Sequence, residues 1–397
     1  MKPITIIGAG LAGYTVAREF RKLDKTTPLT IITADDGGFY SKPMLSNAFA
    51  QNKRPAQLVT QTAAQMAAQL DAQIVTGTEV TGIDIQNKII DSSTGKREYG
   101  KVVIAVGAQP IRLALGGDAA DQVLSVNHVA DYAVFRSRTS AAARVAILGA
   151  GLIGCEFADD LAGAGHKVAL IDPNALPLSA LAAPALAQGL REALEARGIS
   201  WHLGTTAASI HRTDSGLRIM LTDGSTLESD IVLSAVGLRP DLALAKAAQL
   251  SIGRGILVDA FGQTSAPEIY ALGDCAEYAT ASGSTKILPY IAPMMTAARA
   301  IARTLTGEAV QIELKPGPVI VKTPCYPLAL LPAPIHLAGA GHWQVETTID
   351  NRTICRFYDA QGMMAGFGVT PPDAASRQLL TAGLGLACPA EPLAAVD

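Results

Sequence analysis

Two glycine-rich turns stand out in the sequence, GAGLAG at residues 8–13 and GAGLIG at residues 149–154. In a GxGxxG turn the first glycine permits a tight bend, the second lets a pyrophosphate approach the backbone, and the third lets helix and strand pack closely. The helix N-terminus then faces the phosphates. An acidic residue about 20 positions later binds ribose hydroxyls, and Asp35 and Asp172 stand there. These residues predict two dinucleotide-binding sites.

Apolar runs of buried-strand type must position both turns. One run covers residues 4–7, and a helical pattern and a second strand at 29–33 follow the first turn. Residues 145–148 and 167–171 enclose the second turn in the same way. Each copy predicts a βαβ unit. Further strands are predicted at 102–106, 231–236 and 269–272.

The residues around Asp172 also favour one nucleotide over another. A carboxylate at this position repels the 2′-phosphate of NADP, which binds better beside an arginine. No lysine or arginine occurs between Lys167 and Arg191. The sequence therefore favours NADH over NADPH.

The paired motifs resemble those of flavoprotein reductases with two dinucleotide domains. In that family FAD binds at the first motif and NADH at the second. AVGAQP at 105–110 resembles the turn where the chain leaves the FAD domain, and TSAPEIYALGDCAE at 264–277 resembles the late FAD motif. The matching aspartate in the late motif, Asp274, binds the ribitol of FAD. The resemblance implies an α/β fold with two Rossmann-like domains, in which the NADH domain interrupts the FAD domain.

We expect an FAD-binding domain at 1–112 and 242–316 and an NADH-binding domain at 113–241. Beyond residue 317 the character of the sequence changes. Segments 344–348 and 353–358 alternate apolar and polar residues, as antiparallel strands do. The stretch 317–397 is therefore expected to form a small mixed α+β C-terminal domain, with a helix near 374–381.

Four further segments carry a closer resemblance: TADDGGFYSKPMLS (33–46), GLIGCEFADDL (151–161), SAVGLRP (234–240) and VKTP (321–324). They are similar to bacterial rubredoxin–NAD reductases, and this similarity runs from end to end of the chain. It implies rubredoxin, a small acidic one-iron protein, as the electron acceptor. In that setting the electrons serve alkane hydroxylation or oxygen defence.

The positions of the cysteines agree with direct electron transfer to an outside acceptor. Disulfide reductases of this superfamily need a CxxxxC pair just after the first βαβ unit, and related oxidases need one cysteine there. Residues 36–60 contain none. The five cysteines lie far apart without metal-type spacing, which is typical of a reduced, cytoplasmic chain, and no metal site is expected.

Three residues are candidates for a catalytic role. By the resemblance, Lys42 and Pro43 occupy the segment that passes the isoalloxazine, and Glu156 lies by the nicotinamide. A solvated surface lysine and a helix-dipole carboxylate remain the alternatives for Lys42 and Glu156. Ferredoxin reductases of aromatic oxygenases pair the glutamate with a lysine, where this chain has Asn47. Lys322 of the VKTP segment is a candidate for supplying positive charge to the flavin from the C-terminal domain, and a solvated surface lysine is the alternative.

The complete set of expected cofactor-binding residues combines both turns, the acidic residues and the family's flavin positions. It consists of Gly8, Gly10, Leu11, Ala12, Gly13, Asp35, Lys42, Pro43, Val80, Ala105, Gly107, Gly149, Gly151, Leu152, Ile153, Gly154, Glu156, Asp172, Gly237, Gly273, Asp274 and Lys322.

Composition excludes several other functions. The chain of 397 residues has a net charge of −3, with 49% hydrophobic and 17% charged residues. Such a balance gives no global positive field for nucleic acid or an anionic membrane. We expect a monomer or weak dimer. The open alternatives are a ferredoxin reductase of an oxygenase system, a type II quinone reductase, and a signalling flavoprotein that binds NADH as a regulatory ligand.

Overall fold

The computed structural model describes residues 2–279, 285–337, 339–348 and 351–388. Up to residue 110 its elements are β1 (Ile4–Ile7), α1 (Leu11–Leu23), β2 (Leu29–Ile32), a 3₁₀ helix (Lys42–Asn47), α2 (Pro55–Leu58), α3 (Ala63–Leu70), β3 (Gln73–Val75), β4 (Val80–Asp84), β5 (Ile89–Ser92), β6 (Gly95–Glu98), β7 (Lys101–Ile104) and β8 (Ala108–Pro110).

The middle of the chain contains a 3₁₀ helix (Ala120–Gln122), α4 (Val129–Arg138), β9 (Arg144–Leu148), α5 (Leu152–Gly163), β10 (Lys167–Asp172), α6 (Pro184–Glu195), β11 (Ser200–Leu203), β12 (Ala207–Thr213), β13 (Gly216–Leu221), β14 (Thr226–Ser229), β15 (Ile231–Ser234) and β16 (Leu238–Pro240).

The remaining elements are α7 (Ala243–Ala247), β17 (Ile256–Val258), β18 (Ile269–Ala271), a 3₁₀ helix (Gly273–Cys275), β19 (Ala276–Ala279), β20 (Thr285–Ile287), α8 (Ile291–Leu305), β21 (Val319–Val321), β22 (Leu328–Leu331), β23 (His342–Thr347), β24 (Thr353–Tyr358), β25 (Met364–Thr370) and α9 (Ala374–Ala382).

Two parallel sheets form the framework. The first has the order β18-β7-β1-β2-β3 and the second the order β11-β10-β9-β15, and every neighbouring pair in both runs parallel. The inner strands are short, largely buried apolar runs, as parallel strands covered by helices must be, whereas the edge strands β3 and β11 are partly exposed. Both predicted βαβ units are confirmed, β1–α1–β2 and β9–α5–β10.

The second sheet is inserted into the chain that builds the first. Strand β18 follows the whole second sheet in sequence, yet it pairs with β7 of the first sheet. The outgoing strand β8 and the returning strand β16 pair antiparallel, so that the two connections lie side by side. In this register Asp241 N donates to the Gly107 carbonyl oxygen at 3.0 Å and Ile111 N donates to the Gly237 carbonyl oxygen at 3.1 Å, so the turn after β7 and the turn after β15 each contact the opposite connection.

The C-terminal sheet has the order β21-β22-β25-β24-β23, and its neighbouring strands run antiparallel. Helix α9 packs against β25 through a small core that includes Leu380 and Phe367. The predicted strands and terminal helix of this region are confirmed, and the bounds differ by one or two residues.

One apolar core joins three parts of the chain. Leu45 and Phe49 from the segment after β2, Leu161 from α5, and Val321 and Leu330 from the C-terminal sheet all belong to it. The segment around 42–50 and the start of the C-terminal sheet therefore meet on one side of α5, where polar side chains also gather.

Candidate functional site

The first glycine turn connects β1 to α1 in a conformation that only glycine tolerates. Gly8 has a φ of +108°, and a Cβ there would lie 2.4 Å from the Ala105 carbonyl oxygen. A Cβ on Gly13 would lie 2.0 Å from the Gly8 carbonyl oxygen, so the third glycine permits close contact between helix and strand. A Cβ on Gly10, the N-cap of α1, would meet nothing within 4 Å. The open side of this turn is free to receive a ligand.

The second turn repeats this geometry between β9 and α5. A Cβ on Gly154 would lie 1.9 Å from the Gly149 carbonyl oxygen, whereas one on Gly151 would meet nothing within 4 Å. Leu152 and Ile153 form the first turn of α5, and the Ile153 side chain is exposed. In both turns the open glycine precedes a helix N-terminus, whose free N–H groups and positive dipole end attract phosphate.

The two acidic residues differ in how much of their acceptor capacity is taken up. Asp172, at the end of β10, accepts from Ala150 N at 2.7 Å and from Asn174 N and Nδ2 at 2.9 and 2.8 Å. Because a carboxylate has about four acceptor positions, one remains for a ligand hydroxyl. Asp35 accepts from Thr33 Oγ1 and Gly37 N, and both bonds fall on Oδ1.

Lys42 begins the 3₁₀ helix that follows β2, and it faces two carboxylates. Burial lowers its pKa, while the charges of Asp274 and Asp131 oppose that shift. Asp274 belongs to the short 3₁₀ helix after β18, and Asp131 to the first turn of α4. Burial and then the charge of Lys42 lower the pKa of His128, the N-cap of α4. Lys42 is therefore a partly desolvated cation between the two sheet units, with Pro43 next to it.

Lys322 and Glu156 form an ion pair in which Glu156 is 1% exposed. Lys322 Nζ donates to Glu156 Oε2 at 2.5 Å, and Lys322 N donates to Glu156 Oε1 at 2.9 Å. Ser46 Oγ donates to the same Oε2 at 2.6 Å. Glu156 is the fifth residue of α5, in its second turn and two positions after Gly154, so the pair stands beside that predicted nucleotide site.

Asn47 holds Lys322 at both ends. Its Oδ1 accepts from Lys322 Nζ at 2.8 Å, and its Nδ2 donates to the Lys322 carbonyl oxygen at 3.0 Å. Lys322 Nζ also donates to the Pro43 carbonyl oxygen at 2.7 Å. A lysine–glutamate pair is thus present although residue 47 is an asparagine, and its lysine comes from a different part of the chain. No local sequence pattern marks Ser46 or Asn47 for this role, and both are functional residues that the sequence alone does not reveal.

Asn127 is a third residue that sequence reasoning missed. It is 2% exposed, and its Oδ1 has no hydrogen-bond partner. Its Nδ2 donates to the Ala108 carbonyl oxygen at 2.9 Å, beside the turn at Gly107. A buried orphan acceptor is costly unless a ligand satisfies it. Together with the open glycine faces and the desolvated Lys42, it fits a dinucleotide with polar hydrogen-bond donors.

The other predicted residues lie at four places in the fold. Ala12 and Gly273 approach each other, since a Cβ on Gly273 would lie 3.1 Å from the Ala12 side chain. Leu11 begins α1, and Ala105 is buried just after β7. Val80 begins β4 and packs on the first core, away from the residues around Lys322 that the structure groups together.

Two dinucleotide turns on interleaved parallel sheets define the class of flavin- and nicotinamide-dependent reductases. Residues 2–302 match the family model described as pyridine nucleotide-disulphide oxidoreductase, and the chain belongs to this family. Residues 311–384 match a model described as rubredoxin binding C-terminal domain. The predicted family, fold class, oxidoreductase activity and use of FAD and NAD(H) are confirmed.

Named relatives are similar over most of the chain. The rubredoxin-NAD(+) reductase of Alcanivorax borkumensis is 43% identical over 93% of this chain and 95% of its own length. That of Acinetobacter baylyi is 42% identical over 92% and 95%. The nitric oxide reductase FlRd-NAD(+) reductase of Aeromonas salmonicida is 41% identical over 83% of both chains.

Solved structures agree with the fold. The ferredoxin reductase for the CYP199A2 system from Rhodopseudomonas palustris is 26% identical, with a TM-score of 0.85 over 93% of this chain and 91% of that one. The putidaredoxin reductase–putidaredoxin complex is 24% identical, with a TM-score of 0.86 over 97% and 94%. Among the described residues, no helix is long and apolar enough to cross a membrane.

Proposed function

We propose that the chain oxidises NADH and passes the electrons through FAD to rubredoxin. The match of residues 311–384 to a rubredoxin-binding domain and the 43% identity to a rubredoxin-NAD(+) reductase support this acceptor. The observation that carries the proposal is the ion pair between Lys322 and Glu156. It joins the stretch that matches the rubredoxin-binding domain to the helix that follows the second glycine turn.

We assign FAD to the first glycine turn and NADH to the second. FAD, when bound, accepts a hydride as an electron pair and can release electrons singly, which suits a one-iron partner. The N-termini of α1 and α5 would hold the pyrophosphates. Asp35 and Asp172 would bind the riboses, and Asp274 the ribitol. The other predicted residues of the set given above keep their assignment as cofactor contacts.

Lys42 and Lys322 would act by holding positive charge where negative charge develops. A fixed cation in surroundings poor in water stabilises such charge more than a solvated one does. Glu156 and Asn47 orient Lys322, while the charges of Asp274 and Asp131 favour the charged form of Lys42 against the effect of burial. Hydride transfer needs contact geometry rather than an acid–base relay, and these residues supply position and charge.

Asp172 would select NADH. Its carboxylate is fixed by Ala150 N and Asn174, so it cannot swing away from a 2′-phosphate. No lysine or arginine between Lys167 and Arg191 could compensate that repulsion.

We retain the domain boundaries as a proposal, with FAD at 1–112 and 242–316, NADH at 113–241 and the partner domain at 317–397. The insertion of the second sheet between β8 and β16 supports them. We also propose a cytoplasmic monomer or weak dimer that feeds alkane hydroxylation or oxygen defence.

A comparison of acceptors tests the proposed function. NADH-driven turnover is measured with oxidised rubredoxin and with a [2Fe–2S] ferredoxin, each varied in concentration at fixed NADH. We expect kcat/KM for rubredoxin to exceed that for ferredoxin by at least about tenfold, which is about 1.4 kcal/mol. Equal values or a preference for ferredoxin would contradict the assignment and favour a ferredoxin reductase, the function named for one similar structure.

A further inference from the structure

Helix α5 carries three carboxylates that are almost fully buried. Glu156, Asp159 and Asp160 are 1%, 1% and 5% exposed. Carboxylates are rarely buried, because removal from water costs free energy unless hydrogen bonds or cations replace the lost solvation. Three of them within five residues of one helix therefore call for a reason beyond packing.

Asp160 binds the backbone of the segment that follows the 3₁₀ helix Lys42–Asn47. Phe49 N donates to its Oδ2 at 2.8 Å, and Ala50 N donates to its Oδ1 at 2.9 Å. Burial raises the pKa of Asp160, and the two backbone hydrogen bonds oppose that shift. Both carboxylate oxygens are thus used to fix the chain three and four residues beyond Ser46, which itself binds Glu156.

Asp159 reaches in the other direction, to the C-terminal part of the chain. Cys325 N donates to its Oδ2 at 3.2 Å, three residues after Lys322. Arg197 Nη1 donates to its Oδ1 at 2.5 Å and balances its charge. The Asp159 side chain is fully buried, whereas that of Arg197 is 40% exposed.

The buried aspartates of α5 bind backbone N–H groups of two different segments. Asp160 fixes the segment that carries Ser46 and Asn47, and Asp159 fixes the segment that carries Lys322. These two segments come from opposite ends of the sequence, and both must reach Glu156 within hydrogen-bond distance. Backbone amides anchored on the same helix set their separation, since the helix is a rigid element.

We propose that Asp159 and Asp160 are positioning residues, which hold the Ser46–Asn47 and Lys322 segments in register with Glu156. The proposal rests on the proposed function only in that the Lys322–Glu156 pair takes part in turnover. Neither aspartate is assigned contact with a cofactor. Their effect on the reaction passes through the geometry of the ion pair.

A double-mutant cycle tests the proposal with FAD-loaded protein. Asp160→Asn replaces one acceptor oxygen by an NH₂ group that faces a backbone N–H, and Lys322→Gln removes the cation. We expect each single change to slow flavin reduction by NADH at least about tenfold. Because residues that act as one unit are not additive, Asp160→Asn in the Lys322→Gln background should slow it less than about twofold further.

A matched control separates positioning from general destabilisation. Asp230 accepts from Arg144 N at 2.7 Å and from the Arg144 guanidinium, at a site within the second sheet unit. Asp230→Asn should lower the unfolding temperature and leave the reduction rate within about twofold of wild type. Asp159→Asn should behave like Asp160→Asn and show the same loss of additivity with Lys322→Gln.

The outcomes of the cycle distinguish failure of the positioning role from failure of the proposed function. Full additivity of Asp160→Asn and Lys322→Gln would overturn the positioning role. If Lys322→Gln alone leaves the rate unchanged, the pair's role in turnover is wrong, and a crystal structure of Asp160→Asn decides. A Lys322 Nζ–Glu156 Oε2 distance beyond hydrogen bonding would support positioning, whereas an unchanged distance would overturn it.

Discussion

Lys322 and Glu156 lie 166 positions apart in the sequence, yet their side chains meet at 2.5 Å. Asn47 completes the arrangement by binding both the ammonium and the carbonyl oxygen of Lys322. In the ferredoxin reductases that this chain resembles, a lysine occupies the position of Asn47. Here residue 47 carries an amide, and Lys322 of the C-terminal stretch provides the positive charge. We infer that the pair depends more on where the ammonium lies relative to the Glu156 carboxylate than on which segment provides the lysine.

A reciprocal exchange tests that view. Lys322→Asn alone leaves a buried carboxylate without its cation, which costs on the order of 3–5 kcal/mol, and should slow reduction by NADH. Asn47→Lys combined with Lys322→Asn should recover most of the stability and part of the rate, because residue 47 lies within 2.8 Å of the same ammonium. Thermal unfolding and stopped-flow reduction measure the two effects. A double variant as impaired as Lys322→Asn would contradict it.

Asp172 allows a prediction about nucleotide choice. Asp172→Ser removes the charged acceptor, and hydrogen bonds to charged groups contribute about 1.5–3 kcal/mol. We expect kcat/KM for NADH to fall about 10- to 100-fold, and the preference for NADH over NADPH to shrink accordingly. Steady-state kinetics with both nucleotides measure this. Asn174→Ala is the control and should have a smaller effect, since Ala150 N still holds the carboxylate. An unchanged preference in Asp172→Ser would refute the assignment.

The lowered pKa of Lys42 gives a prediction about pH. Burial makes the charged form costly in the folded protein, and this cost applies below the folded pKa and disappears as the pH rises through it. FAD-free Lys42→Met should therefore be more stable than FAD-free wild type at pH 7, with a difference that shrinks as the pH increases. Urea unfolding at several pH values checks this. The same variant should retain FAD less well, and tighter FAD binding would exclude Lys42 from the site.

At the scale of elements, two glycines of each turn have different tasks: one permits close packing of helix on strand, and the other leaves room for a ligand. Gly13 lets α1 pack on β1, and Gly10 leaves the ligand side open. The sequence alone predicted these tasks, since the spacing of the glycines, the flanking apolar runs and the acidic residue are local patterns. The sequence also predicted β23, β24 and α9, because their alternating or helical patterns of apolar residues are local.

Alanine substitutions should resolve the two tasks. Gly13→Ala forces a Cβ to 2.0 Å from the Gly8 carbonyl oxygen, and such overpacking costs about 1–3 kcal/mol or more. Gly10→Ala meets no atom within 4 Å and should cost less than about 1 kcal/mol as an N-cap change, yet it should lose FAD. Unfolding of FAD-free protein and the bound flavin fraction distinguish them. Equal FAD content in Gly10→Ala and wild type would place the pyrophosphate elsewhere.

At the scale of the whole molecule, α5 is the element where all parts of the chain meet. Its acids bind the segment after β2 and the start of the C-terminal sheet, and one apolar core surrounds these contacts. Sequence patterns could not predict this meeting point, because it depends on contacts between residues up to 279 positions apart. The sequence therefore named Glu156 and Lys322 as separate candidates but missed Ser46, Asn47 and the two aspartates that position them.

Anaerobic stopped-flow mixing tests the central claim most directly. The FAD-loaded protein is mixed with NADH and, in a parallel experiment, with NADPH, and oxidised rubredoxin is then added. The account predicts that NADH bleaches the flavin at roughly 10 per second or faster, that NADPH does so far more slowly, and that rubredoxin is then reduced within the same time range. Fast bleaching by NADH without reduction of rubredoxin would contradict the proposed partner, and equal bleaching by NADPH would contradict the role of Asp172.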